Sequence, residues 1–127
     1  MKNYWLRSRF DRLAHQALDK LPDDILRLLH NIEIDVQAVP GAEAGRLKGS
    51  KVLLGLYKGL KREQMMSPLS GSYLPARIIL YQKNLEALCR TEVELKRRIE
   101  LTLRHEIAHH LGFSEEDIRR RWPEGAC

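Results

Sequence analysis

An α+β domain is the fold class this sequence predicts. Three observations carry it: two helical patterns in the first thirty residues or so, three short apolar runs of strand character in the middle, and one long helical pattern near the C-terminal end. Helices and strands segregate along the chain instead of alternating, which separates α+β from α/β. With 127 residues, 43% hydrophobic and 31% charged, the chain reads as one soluble domain, 1–127, with a real core.

The first element is an amphipathic helix, Arg9 to Lys20. Phe10, Leu13, Ala14, Ala17, Leu18 and Leu21 recur at helical spacing, and Ser8 is the expected N-cap. His15 falls off that face and reads as a surface residue. Pro22 opens a second helix, Asp23 to His30, with proline at its first position and acids in its first turn. His30 suits the negative end of that helix better than it suits a ligand role.

Ile32 to Val39 alternates, with Ile32, Ile34, Val36 and Ala38 on one face and Glu33, Asp35 and Gln37 on the other. That is a half-buried strand, its polar face toward solvent. Pro40-Gly41 ends it, and Ala42 to Lys51 is a charged connection of small residues. Val52 to Lys58 reads as a second strand, and Gln64 to Tyr73, with Ser67-Pro68 and Ser70-Gly71-Ser72, as a loop or hairpin tip. Met65 and Met66 read as packing residues. Arg77 to Tyr81 is the third strand, apolar on both faces at Ile78, Ile79 and Leu80 and so expected to be covered on each side. A short helical turn, Asn84 to Cys89, follows.

Thr91-Glu92-Val93-Glu94 fits a capping box and starts the long helix, Glu92 to Leu111. It runs for about 30 Å. Glu92–Lys96 and Glu94–Arg98 are i,i+4 pairs in the favourable order. Leu95, Ile99, Leu101, Leu103, Ile107, Ala108 and Leu111 make its second half apolar over most of the circumference, as in a buried helix. Gly112 suits the left-handed position that ends it.

That helix carries His105-Glu106-Ile107-Ala108-His109, an H-E-x-x-H core. Residues four apart on a helix differ by only about 40° of rotation, so His105 and His109 share one face. Two imidazoles so placed can bind one divalent ion. Glu106, about 100° round from His105, can flank the metal without binding it, where a general base for a metal-activated water must stand. The competing reading is a pair of hydrogen-bonded core histidines, but two of them and a glutamate on a buried helix need partners, and a metal is the simplest. His110 points away from His109 and reads as a packing residue or a support for the ligands.

A catalytic zinc usually has three protein ligands and one open position. A third ligand from a distant downstream helix needs more chain than follows His109. A metzincin pattern would continue with Gly and then His; Gly112 is in place, but residue 115 is Glu, and no Met follows Met66 to form a Met-turn. Glu115 is therefore the first candidate, then Asp117 and Glu116. Against all three, Ser114-Glu115-Glu116-Asp117 also reads as an N-cap and the acidic first turn of a new helix, Glu115 to about Arg121.

Composition narrows the function classes. No secretory signal and no membrane-span-length apolar run is visible, and Cys89 and Cys127 lack metal spacing, so two free thiols in a reducing cytoplasm are expected. The net charge of +5 invites nucleic acid. The basic residues are scattered in short clusters with few aromatics among them, so the charge is read as solubility and nucleic acid as a weak rival.

Leu53, Gly55, Leu56, Tyr57, Lys58 and Gly59, then Leu74 to Tyr81 leading into Leu85-Glu86, then His105 to Gly112 with acids behind it, together resemble the bacterial minimal matrix-metalloprotease-like family of predicted zinc metallopeptidases. The resemblance covers about residues 12–120 and is most specific in its last motif. It implies a compact zincin-like fold, zinc on His105 and His109, Glu106 as the catalytic glutamate and an acid after Gly112 as third ligand. The expected function is zinc-dependent hydrolysis of a peptide or protein substrate. An edge strand, Arg77 to Tyr81 or Val52 to Lys58, would pair with that substrate, and Tyr57, Tyr73 or Tyr81 are candidate oxyanion donors, each also readable as packing. The rival reading is a metal-bound regulatory or binding module of the same fold without turnover.

Overall fold

The computed structural model describes residues 5–26, 32–58 and 76–121. Its elements are helix α1 (Arg7–Asp19), the short helix α2 (Asp23–Leu26), strand β1 (Ile32–Gln37), a 3₁₀ segment (Ala42–Leu47), strands β2 (Gly55–Lys58) and β3 (Ala76–Tyr81), and helices α3 (Gln82–Glu86), α4 (Glu92–His110) and α5 (Glu115–Arg121). This is a mixed α+β arrangement around one small sheet. His30, Met65, Met66, Tyr73, Cys127 and the 64–73 loop lie outside the described residues.

The sheet has the order β1-β3-β2. β1 runs parallel to β3, with Ile34 opposite Ile78, and β2 runs antiparallel to it, with Tyr57 opposite Ile78. The central place of β3 explains its composition: Ile78, Ile79, Leu80 and Tyr81 are all fully buried. It also corrects one expectation, because Arg77 to Tyr81 has both neighbours and cannot be an edge. Among the described residues β2 is the outer strand on the side of α4.

Alternation assigns the two faces of the sheet. Ile78 and Leu80 join the main core with Phe10, Leu13, Ala14 and Ala17 of α1 and Leu95, Ile99, Leu103 and Ile107 of α4. Ile32, Ile34 and Val36 of β1 pack against the same cluster, so the apolar face read from the sequence is the inner one. Each such aliphatic side chain, fully buried, contributes roughly 1.5–3 kcal/mol. On the opposite face the Tyr81 hydroxyl donates to Glu43 Oε2 at 3.0 Å, which brings the 3₁₀ segment over the sheet. Asp35, expected in solvent, is half-buried and accepts from Arg77 Nε at 2.7 Å.

Three local expectations shift. Ser8 does not cap α1: Leu6 holds the N-cap position with no side-chain bond, and Phe10 N–H donates to its carbonyl at 2.9 Å. Val52 to Leu54 stay out of β2 because the Ser50 hydroxyl takes the Val52 and Leu53 N–H groups at 3.2 Å each, while Asn84 Nδ2 donates to the Ser50 and Leu53 carbonyls. The turn expected over Asn84 to Cys89 begins earlier, at Gln82, whose amide donates to the Trp5 carbonyl at 2.8 Å.

Candidate metal centre

Helix α4 begins as the capping pattern requires. Thr91 Oγ1 accepts from Glu94 N–H at 3.1 Å, and Glu94 Oε2 reaches back to Arg90 N–H at 3.2 Å, one residue before the position a capping box would fill. Its other end is a Schellman turn. Gly112 takes φ 93°, Phe113 N–H donates to the Ala108 carbonyl at 2.9 Å and Gly112 N–H to the His109 carbonyl at 3.0 Å. The left-handed residue turns the chain back, and Ser114 caps α5: its hydroxyl accepts from Asp117 N–H, and Asp117 Oδ2 accepts from Ser114 N–H, both at 3.1 Å.

This turn decides where the three acids go. Asp117 is committed to the cap and held below its ordinary pKa, first by the Ser114 N–H. Glu116 faces outward to Arg120 at 3.2 Å. Glu115, the first residue of α5, swings back over α4, its Oε1 lying 2.7 Å from His109 Nε2 and 3.2 Å from His105 Nε2. The two imidazole centroids are 4.8 Å apart and the rings edge to face. One nitrogen from each histidine and one Glu115 oxygen all fall within 4.8 Å of one another. Desolvation opposes the Glu115 charge, but the His109 hydrogen bond and both imidazoles outweigh it and hold its pKa below 4.5. Two imidazole nitrogens and a carboxylate are a donor set suited to zinc, and they already converge, so the residues fit such an ion.

Glu106 is next to the cluster but outside it. Burial pushes its carboxyl above the ordinary 4.5, partly offset by His105 and His109. With His105 it forms one end of a cavity of about 240 Å³, walled by Leu54 and Gly55 on one side and by α4 on the other. A Cβ on Gly55 would sit 2.9 Å from Thr102 Cγ2, 3.2 Å from the Ile79 carbonyl oxygen and 3.6 Å from Glu106 Cγ. Only glycine lets β2 lie this close to the motif helix. A glycine inside a strand pattern is the signal for such an approach, and Gly55 is the residue of the Val52 to Lys58 run that carries it.

His110 is fully buried, and its Nδ1 lies 2.7 Å from the Tyr57 hydroxyl, which ties β2 to the end of α4. That agrees with a packing role beside the cluster. The Tyr57 hydroxyl lies against His110 and the Tyr81 hydroxyl donates to Glu43.

The model of a family described as zincin-like metallopeptidases matches residues 29–123. A protein of Pseudomonas syringae pv. pisi, described as the probable cysteine protease avirulence protein AvrPpiC2, is 36% identical over 95 residues, which is 66% of this chain and 35% of that relative. The chain thus spans about a third of that relative's length. A solved structure of a conserved hypothetical protein from Thermo thermophilus superposes with a TM-score of 0.55 at 24% identity, covering 91% of this chain and 99% of that one. That likeness supports the fold.

Proposed function

Because this chain belongs to the zincin-like metallopeptidase family, we propose that it hydrolyses peptide bonds at a zinc ion held by His105, His109 and Glu115, with Glu106 as general base. The observation that carries the reading is the convergence of three donor atoms within 4.8 Å, beside a carboxyl that is not one of them. A bound zinc ion supplies Lewis acidity, polarising a carbonyl and acidifying water near neutral pH.

The protein's own residues do the rest. Glu106 takes the proton of the attacking water on a carboxylate oxygen and returns it to the leaving amine nitrogen. Tyr57, through His110, braces the end of the helix that presents His109. β2, outermost among the described residues and packed on α4, offers its edge to an extended substrate.

A cysteine nucleophile, the chemistry in the relative's description, has less support. Cys89 is only 9% exposed, and burial pushes its thiol pKa up, away from the reactive thiolate. Among the described residues the charged groups acting on it are Arg98, Glu94 and Glu86, and none of these is an imidazole.

The test is metal analysis with turnover. About one zinc per chain, cleavage of unfolded proteins, and loss of cleavage with zinc retained in Glu106→Gln are the expected results. Unchanged activity in that variant excludes the mechanism. Zinc-loaded protein that leaves a broad panel of unfolded proteins uncut makes this a metal-bound binding module instead.

A further inference from the structure

We infer that Asn84 is a positioning residue for substrate: it clamps the strap Ser50–Leu54, which leads into β2 and faces the motif helix, so that a peptide meets a preset surface beside His105 and Glu106. Cleavage of that peptide rests on the peptidase reading above; the clamp and its effect on peptide binding do not.

Asn84 sits within α3 and is only 5% exposed. Asparagine is a poor helix former, so local preference does not account for it there. A buried amide also costs stability unless it is hydrogen-bonded. Its Nδ2 donates to the Ser50 carbonyl at 2.8 Å and to the Leu53 carbonyl at 2.7 Å, so both N–H bonds go to one segment. Further bonds fold that segment on itself and tie down its end. Ser50 N–H donates to the Leu47 carbonyl at 2.9 Å, and the Ser50 hydroxyl takes the Val52 and Leu53 N–H groups. Tyr81 N–H donates to the Leu54 carbonyl at 3.0 Å.

Apolar burial does little to place the strap before Leu54. Leu54 packs against the main core, but Val52 is 85% exposed. The bond from Tyr81 is where β3 takes hold of the chain, and Asn84 holds the residues before it. Val52 to Leu54 stand across the cavity from Thr102, His105 and Glu106. His105, Glu106 and His109 are on α4 and Glu115 is on α5, so a loosened strap leaves the reacting groups in place and removes binding. Such a loss raises KM and spares kcat. A folding defect does the reverse: it lowers the active fraction, and so the apparent kcat, without moving KM.

The experiment uses the full zinc-loaded chain with Asn84→Asp, which keeps the shape of the side chain and, ionised at neutral pH, removes both donors. Amide hydrogen exchange is read at Tyr81, whose N–H donates to the Leu54 carbonyl. Exchange there should speed up about tenfold or more while the amides of α4 keep their protection, which marks a local opening. With labelled casein as the probe, KM should rise about tenfold and kcat stay within about twofold. In the Glu106→Gln background, which holds peptide without turnover, Kd for casein should rise by a like factor. Ser50→Ala loosens the strap from within; it should move the same readings the same way, by less, and it serves where Asn84→Asp does not fold. Unchanged Tyr81 exchange in folded Asn84→Asp, or in Ser50→Ala where that is the variant that folds, overturns the clamp. Faster exchange with KM and Kd unmoved overturns its role in binding, and so does casein that is not bound at all. A shift in Kd without cleavage by the unsubstituted protein refutes the peptidase reading and leaves the role of Asn84 standing. Cleavage with KM unmoved does the opposite.

Discussion

The Cα of Gly55 faces the Thr102 methyl so closely that a Cβ there would lie 2.9 Å from it, with the Ile79 carbonyl oxygen only 3.2 Å away. One contact thereby sets the gap between the outer strand and the helix that bears the motif. Thr102 is β-branched, stiff at χ1 and tied to its own helix by its hydroxyl, so it yields poorly. Gly55→Ala is expected to destabilise the fold by about 1–3 kcal/mol through overpacking. Urea unfolding measures this, and combining it with Thr102→Ser should recover part of the loss.

Tyr57 and His110 meet in the interior at 2.7 Å. Removing the hydroxyl takes a bond from an imidazole that is fully buried. Tyr57→Phe should cost roughly 1–3 kcal/mol, the range for a buried polar group that loses a partner. Denaturation midpoints at fixed m-value give the figure.

Of the three acids behind Gly112, only Glu115 turns to the imidazoles. Glu115→Ala should weaken zinc binding by more than the roughly 10–100-fold typical of an outer supporting residue. Glu116→Gln should leave it unchanged. Ser114→Ala should cost about 1 kcal/mol of stability through the lost α5 cap. Competition with a chromophoric chelator measures the affinities, and thermal unfolding measures the cap.

Zinc that binds only the folded protein should raise stability by about 2.7 kcal/mol at a free concentration of 100 Kd. Chelation should therefore lower Tm in the parent protein and hardly at all in Glu115→Ala. Equal chelator sensitivity in the two would place the ion elsewhere.

Glu43 accepts from Gly41 N–H at 2.8 Å and from the Tyr81 hydroxyl at 3.0 Å, and its pKa falls below 4.5 chiefly through the Gly41 bond. A carboxyl whose folded pKa is depressed contributes stability above its unfolded value and loses it as pH falls through the folded one. The acid limb of the stability curve below about pH 4.5 should therefore flatten in Glu43→Gln. Unfolding titrations across that limb test it, and an unaltered slope would assign the limb to other carboxylates.

Much of the site was legible because its parts are local. The four-residue spacing of His105 and His109, the stop at Gly112 and the cap at Ser114 each depend on bonds spanning a turn or two. Helical periodicity therefore suffices to read them, and Thr91 caps α4 as its pattern requires. The choice of Glu115 over Asp117 lay at the edge of that range. Both suit the first turn of α5, and only the commitment of Asp117 to Ser114 separates them.

Sequence alone determined the order of the main helices and strands, the motif helix and the face it presents; the 3₁₀ segment Ala42–Leu47 was not read from it. Tertiary structure decided that β3 is central and β2 lies against α4, that Tyr57 finds His110, and that Arg98 lines a cavity. The physical reason is range: backbone hydrogen bonding and side-chain period act between near neighbours. Strand order and cavity walls are set by which distant surfaces exclude water together, and no periodicity along the chain records that choice.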